Sequence, residues 1–176
     1  DSEKIKDDIS INFPKRVNVI DRPEEIQGDN ISMNKIIAFD IKKIPADIYI
    51  QTHSTNPLLS KETLDKAILK MLKCLKIGNY DSIFSVTRVQ TRLYDHNTKP
   101  INHNPENLIM TQNLNPIFEE NSNLYLFTKK SFVEAKNKRI GLNPLMLETN
   151  KYSSLDIDNF DDFRFAELLK NRNEKF

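Results

Sequence analysis

The feature that most constrains this chain is an apolar run, an amphipathic stretch and a second apolar run that follow one another between Asp47 and Thr87. Asp47-Ile48-Tyr49-Ile50-Gln51 has strand composition, and Asn56-Pro57 closes it off. Ser60 is then a good helix N-cap, and Glu62 and Asp65 favour the positive end of the helix it opens. Leu64, Ile68, Met71, Leu72 and Leu75 recur as one helical stripe, and Gly78 falls where a left-handed C-terminal residue belongs. Ser82-Ile83-Phe84-Ser85-Val86-Thr87 is a second strand. Strands that alternate with helices in this way specify an α/β fold, a three-layer sandwich with a mostly parallel sheet.

The remainder of the chain continues the alternation. Residues 17–20 are a brief β-branched run ended by Arg22-Pro23, and Met33, Ile36, Ile37 and Ile41 give residues 33–44 a helical period. Residues 124–127 and 145–147 are strand-like, with a short helix over 131–138 between them. Asp156-Ile157-Asp158 forms a short strand end before a final helix from 159 to about 172. Residues 95–117, rich in Asn, Pro and His, have little periodicity and form a long excursion with one short strand. One domain over 1–176 is expected, with a substrate or dimerisation excursion at about 92–122.

Composition excludes several functions. Twenty-six basic residues against 25 acidic ones leave a net charge of +1, too little for binding nucleic acid by bulk electrostatics. One cysteine allows no internal disulfide and no cysteine-rich zinc site, and Cys74 within the amphipathic stretch suits core filling. No run approaches the roughly 18 apolar residues of a membrane span. Three glycines stand where an average chain of this length has about twelve. Neither Gly-x-x-x-x-Gly-Lys nor Gly-x-Gly-x-x-Gly is present, so no glycine-rich phosphate loop is encoded.

The candidate chemistry lies in polar clusters at strand ends. Asp156 and Asp158, two apart on a strand, project to one face and suit Mg²⁺ in a phosphate-handling site. Asp158 equally suits the N-cap of the last helix, with Asp161 and Asp162 in its first turn, and on pattern alone capping leads. Arg22, Asp29, Asn30, Ser32 and Asn34 form either a turn with a helix start or a polar loop at the mouth of the sheet. Six polar residues, Gln51 to Asn56, follow directly on an apolar strand, where open α/β sheets bind ligands. His53 is not a metal ligand by spacing, because His96 and His103 are distant in the chain. Arg88 and Arg92, four apart on a continuing strand, share a face and suit a carboxylate or phosphate, or form a solvated pair. Gln112 and Asn121-Ser122-Asn123 fit turns on their own.

Taken in order, these segments resemble the CMP-sialic acid synthetases, the acylneuraminate cytidylyltransferases. Asp1-Ser2 with Glu3-Lys4-Ile5 is similar to the family's Ser-Thr-Asp segment entered at its last residue. Arg22-Pro23-Glu24-Glu25-Ile26 with Asp29 resembles its Arg-Pro-x-x-Leu-x-x-Asp stretch, and Gln51 to Leu58 its Gln-x-Thr-Ser-Pro-Leu loop. Asp81 to Val86 resembles Asp-Ser-Val-x-Ser-Val. Gln112-x-Leu114, Asn121 and the Tyr125 strand resemble Gln-x-Leu-Pro and Asn-Gly-x-x-Tyr. Asp156-Ile157-Asp158 with Asp161-Asp162-Phe163 resembles the closing Asp-x-Asp and its helix.

The resemblance implies transfer of CMP from CTP to an acidic nine-carbon (nonulosonic, sialic-type) sugar, with release of pyrophosphate, in a cytoplasmic homodimer that supplies surface glycans. It makes Asp156 and Asp158 the carboxylates for Mg²⁺ or Mn²⁺, and places Arg22, Asp29 and Ser32 at the cytidine. Gln51 or His53 takes the place of the family's glutamine at the sugar, with Arg92, Gln112 and Asn121, and Arg92 suits the sugar's carboxylate. Ser122 replaces the family's glycine, and Glu119 or Glu120 its basic residue. The family's Arg-x-x-Ser-Lys loop around the triphosphate has no counterpart in residues 1–176, so a nucleotide-diphospho-sugar transferase-like fold is expected without its N-terminal nucleotide loop, and the 176-residue chain itself is expected to be inactive. The competing readings are a non-catalytic binding module of the same fold and a related nucleotidyltransferase acting on the eight-carbon acid Kdo.

Overall fold

A computed structural model describes residues 2–13 and 16–171. Its helices are α1 (Glu3–Asn12), α2 (Met33–Lys43), α3 (Lys61–Ile77), α4 (Lys129–Glu134) and α5 (Phe160–Asn171), and its strands are β1 (Tyr49–Thr52), β2 (Ser82–Val89), β3 (Ile117–Phe127) and β4 (Pro144–Glu148). The helix between β1 and β2 forms as its punctuation dictates. Ser60 Oγ accepts the Thr63 N–H at 3.1 Å, and Gly78 ends the helix at φ 76° with its own N–H on the Cys74 carbonyl. The buried stripe of α3 is Ala67, Met71 and Cys74, flanked by Ile68, whereas Leu72 and Leu75 are exposed. The two leucines are offset by one residue from the buried positions Met71 and Cys74, which rotates them away from the sheet.

The sheet has the order β1-β3-β2-β4. β1, β2 and β4 run in one direction, and β3 is inserted antiparallel between β1 and β2, so only the β2–β4 ladder is parallel. The expected mostly parallel sheet is therefore a mixed one. The long excursion lets the chain return from the far end of β2 in the opposite direction, without a crossover helix. Layering follows from alternation along β3. Leu124 and Leu126 face α3 with Ile83 and Leu147, whereas Tyr125 and Phe127 face α2 and α4 with Ile37, Ile41 and Phe132. Helices thus cover both faces, the three layers expected of an α/β sandwich.

Four local readings differ from the sequence analysis. Residues 17–20 form no strand, and the segment before them is helical: Ser2 Oγ caps α1 on the Ile5 N–H, and Ile5 and Ile9 face Val19 and Ile20 across a groove. Those isoleucines four apart were the available signal for α1. Asp1, in the first family-like segment, and Arg172, at the end of the last helix, lie outside the described residues. β3 begins at Ile117, inside the expected excursion, and β2 ends at Val89, so Arg88 and Arg92 share no strand face. Residues 156–158 belong to no strand.

The loop into β4 depends on one glycine. The Asp81 carboxylate accepts the Ser82 hydroxyl and the Leu142 and Asn143 N–H groups, which anchors it against Gly141, where an added Cβ would lie 2.2 Å from Oδ1. Gly141→Ala forces this anchored carboxylate off its donors, with an expected cost of about 2 kcal/mol or more. A denaturant midpoint unchanged in that variant would contradict the packing described.

Candidate functional site

The carboxyl ends of β1, β2 and β4 lie at one edge of the sheet, and β3 is deformed there. Between Phe84 and Val86 the β2–β3 register jumps from Tyr125 to Glu120, and the extra residues of β3 bulge out with Ser122 at φ 55°. Ser85 Oγ takes the Leu124 N–H that the bulge leaves without a ladder partner. The bulge aims Asn121 across the strand ends, where its Nδ2 donates to Thr87 Oγ1 at 2.9 Å and Thr149 Oγ1 at 2.8 Å.

On the α2 face at the same end sits Arg139. Lys136 and Asn137 both adopt left-handed backbone after α4 and turn the chain back over the sheet. Asn34 Oδ1, in the first turn of α2, then accepts the Arg139 N–H at 3.2 Å. The guanidinium lies 3.6 Å from the centre of the Tyr125 ring, and it donates from Nη1 to Gln51 Oε1 at 2.7 Å and from Nη2 to the Tyr125 hydroxyl at 2.9 Å. Tyr125 donates in turn to Glu120. Burial, together with that hydrogen bond, pushes the phenol pKa up to about 12, so Tyr125 stays a donor at neutral pH.

These contacts fix the state of His53. A guanidinium only donates, so the Gln51 oxygen must face Arg139 and its amide nitrogen must face His53, whose Nε2 is 2.9 Å away. His53 Nε2 is therefore an acceptor, and the ring is neutral with its proton on Nδ1. Burial is the main cause of its lowered pKa; the Arg139 charge adds to this, and the Asp156 charge opposes it.

Asp156 is held nearby by two bonds across the chain. The Ile157 N–H donates to the Thr55 carbonyl at 2.9 Å, and Asn56 Nδ2 donates to the Leu155 carbonyl at 3.2 Å. Asp156 Oδ1 is buried without a hydrogen-bond partner among the described residues. Asp156 and Asp158 line one cavity of about 320 Å³ with Asn121, Ser122 and Lys151. The cap of α5 is Asn159, whose Oδ1 accepts the Asp161 and Asp162 N–H groups, while Asp162 accepts those of Asp158 and Asn159. The expected capping role thus shifts by one residue, which leaves the Asp158 carboxylate outside the cap. Among the described residues, no three His, Cys, Asp or Glu side chains come together as a metal cage.

The other sequence candidates lie apart from this cluster. Arg92 donates from Nη2 to the Ile109 carbonyl, which ties the excursion to itself, and Gln112 is exposed with its amide on Met110 Sδ. Arg22 lines the groove against α1, and its charge opposes the burial that raises the Asp40 pKa. Asp29 is exposed beside Gly28, and Ser32 precedes α2 without a side-chain cap bond. Sequence reasoning missed Arg139. It precedes β4, whereas strand-end reasoning searches the loops that follow strands.

A mixed sheet covered on both faces, with its polar cluster at the carboxyl ends of three codirectional strands, is a nucleotidyltransferase-like fold. The structure is similar to 4-diphosphocytidyl-2C-methyl-D-erythritol synthase from Anaerococcus prevotii, at TM-score 0.63 and 13% identity over 97% of this chain and 77% of that one. No curated protein sequence matches the chain. Residues 1–171 match the cytidylyltransferase family, and the chain belongs to it.

The His53 assignment is testable by side-chain NMR. The ring is expected to titrate below 6.5 with unprotonated Nε2, and Arg139→Ala is expected to raise its pKa by removing a neighbouring positive charge. Because the unfolded chain binds this proton more readily, the stability His53 contributes is present above about pH 6.5 and is lost as pH falls through the depressed folded value. A ring titrating above 6.5, or protonated at Nε2, would overturn the assignment.

Proposed function

We propose that the protein transfers CMP from CTP to a nonulosonic, sialic-type sugar acid and releases pyrophosphate. The observation that carries this reading is the hydrogen-bonded cluster of Gln51, His53 and a part-buried arginine, with the Asp156 charge acting on His53 and with Glu120, which faces the arginine, lining one cavity with Asp156 and Asp158. Family membership supplies the cytidylyl transfer. The sugar acid is supported by the motif resemblance and by a cation at the acceptor side.

In this reaction the anomeric oxygen of the sugar bonds to the α-phosphorus as the bond to the bridging oxygen of pyrophosphate breaks, and the hydroxyl proton leaves to solvent. The chain's own contribution is to position and to stabilise charge. Gln51 and His53 orient the sugar, with Asn121 at the opposite wall. Arg92 and Gln112, which lie apart from this cluster, are assigned to the sugar on the resemblance alone. Arg22, Asp29 and Ser32 hold the cytidine, a role that rests on the resemblance alone.

Asp156 and Asp158 fit a divalent cation. A buried acceptor with no donor favours one, and Mg²⁺ takes one or two carboxylates together with substrate phosphates and water. When bound there, Mg²⁺ or Mn²⁺ supplies neutralisation of phosphate charge. A homodimer is proposed on the resemblance alone.

Pyrophosphate release by the full-length protein, with CTP, Mg²⁺ and a panel of sugar acids, is the test. Turnover is expected with at least one nonulosonic acid, and Asp158→Asn is expected to lower it by about two orders of magnitude or more. Undiminished turnover in that variant would remove Asp158 from the site. Transfer only to neutral acceptors would refute the sugar-acid reading.

A further inference from the structure

We propose that Arg139 reads the carboxylate of the acceptor, and that Glu120 stands in for that carboxylate until the acceptor displaces it. The proposal rests on the sugar-acid reading above and assigns the anion contact within it. The Arg139 side chain is 18% exposed. Its two short hydrogen bonds go to Gln51 Oε1 and the Tyr125 hydroxyl, which are neutral acceptors, so neither compensates the charge. The second Nη1 proton meets His53 Nε2 at 3.5 Å, another neutral acceptor, and among the described residues Nε–H and the second Nη2 proton have no hydrogen-bonded acceptor.

The facing carboxylate is that of Glu120, with Oε1 3.7 Å from Nη2. That is too long for a hydrogen bond, and the same oxygen already accepts from Tyr125. A guanidinium binds a carboxylate best through two parallel N–H···O bonds, and Glu120 makes none. Glu120 is also the more exposed partner, at 44%, and stands at the mouth of the β3 bulge, so it can turn into water if the Tyr125 hydroxyl passes to Ser122 Oγ, 3.3 Å away. A guanidinium that is part-buried, fixed by neutral partners and left with two spare donors is preorganised for an external carboxylate.

The placement also bears on the chemistry. In a sugar acid of this class the carboxylate and the attacking hydroxyl share one carbon. Holding the carboxylate at Arg139 therefore sets the hydroxyl beside His53, whose Nε2 lies 3.5 Å from Arg139 Nη1, and on the Asp156 side of the crevice.

The test compares a sugar acid with its C1 carboxamide as acceptors for full-length wild type, Arg139→Lys and Glu120→Gln, each variant checked for an unaltered melting transition. Wild type is expected to prefer the acid by about tenfold or more in kcat/KM, the size of one charge-assisted pair. That preference is expected to collapse in Arg139→Lys, and the acid KM is expected to fall several-fold in Glu120→Gln. A second arm needs no turnover: acetate is titrated while the Arg139 Nε–H resonance is followed, and is expected to act at lower concentration in Glu120→Gln than in wild type. If no acid accepts CMP but acetate still moves Arg139, the sugar-acid reading fails and the anion site stands. If transfer occurs and the acid preference survives Arg139→Lys, the assignment is overturned. An Arg139 signal unmoved by acetate in Glu120→Gln overturns it equally.

Discussion

The site depends on the Arg139 guanidinium, held between the Gln51 amide and the Tyr125 ring. Because that group only donates, it dictates which end of Gln51 faces inward, and through Gln51 which nitrogen of His53 carries the proton. The same contacts join three separate parts of the chain: the end of β1, the last residues of β3 and the loop before β4. A fourth is added where Asn34 fixes the Arg139 backbone to α2. Orientation, tautomer and charge at this edge of the sheet are consequences of one side chain's placement.

The β3 bulge performs the complementary task. A regular strand would put the residues that follow Glu120 on successive sides of the sheet, and Asn121 would not span the ends of β2 and β4. The bulge requires a left-handed residue, which explains why a glycine is expected at this point in the resembling family. Ser122 occupies it here at φ 55°, a conformation that costs an L-residue about 1 kcal/mol. Its hydroxyl lies 3.3 Å from that of Tyr125, so the replacement adds a polar contact to the network in place of backbone freedom.

Much of this was legible in the sequence, and the legible parts share a physical character. α3 was marked at both ends by residues whose local chemistry has no better use, Ser60 and Gly78, and the structure uses both. The polar run from Gln51 to Asn56, which begins inside β1, was recognisable because a purely connecting loop does not need six donors and acceptors. Gln51 and His53, between which the sequence leaves the choice open, form one hydrogen-bonded pair. Direction was not legible: a strand's composition is the same whichever way it runs, so the antiparallel insertion of β3 left no mark. Arg139 was hidden because its role arises from a long side chain reaching back over the sheet from a loop that carries no motif. The helix cap at Asn159 was misjudged by one residue, a shift that periodicity cannot detect.

The central claim is that cytidylyl transfer takes place at this crevice, with the acidic acceptor on the Arg139 side and the phosphates on the Asp156 side. A crystal structure of the full-length protein with a non-hydrolysable CTP analogue, a sugar acid and Mg²⁺ tests it most directly. The account predicts the metal at about 2.1 Å from oxygens of Asp156 or Asp158, and the acceptor carboxylate on the guanidinium of Arg139 with Glu120 turned away. A nucleotide bound elsewhere, or a phosphate rather than the acceptor carboxylate on Arg139, would contradict it.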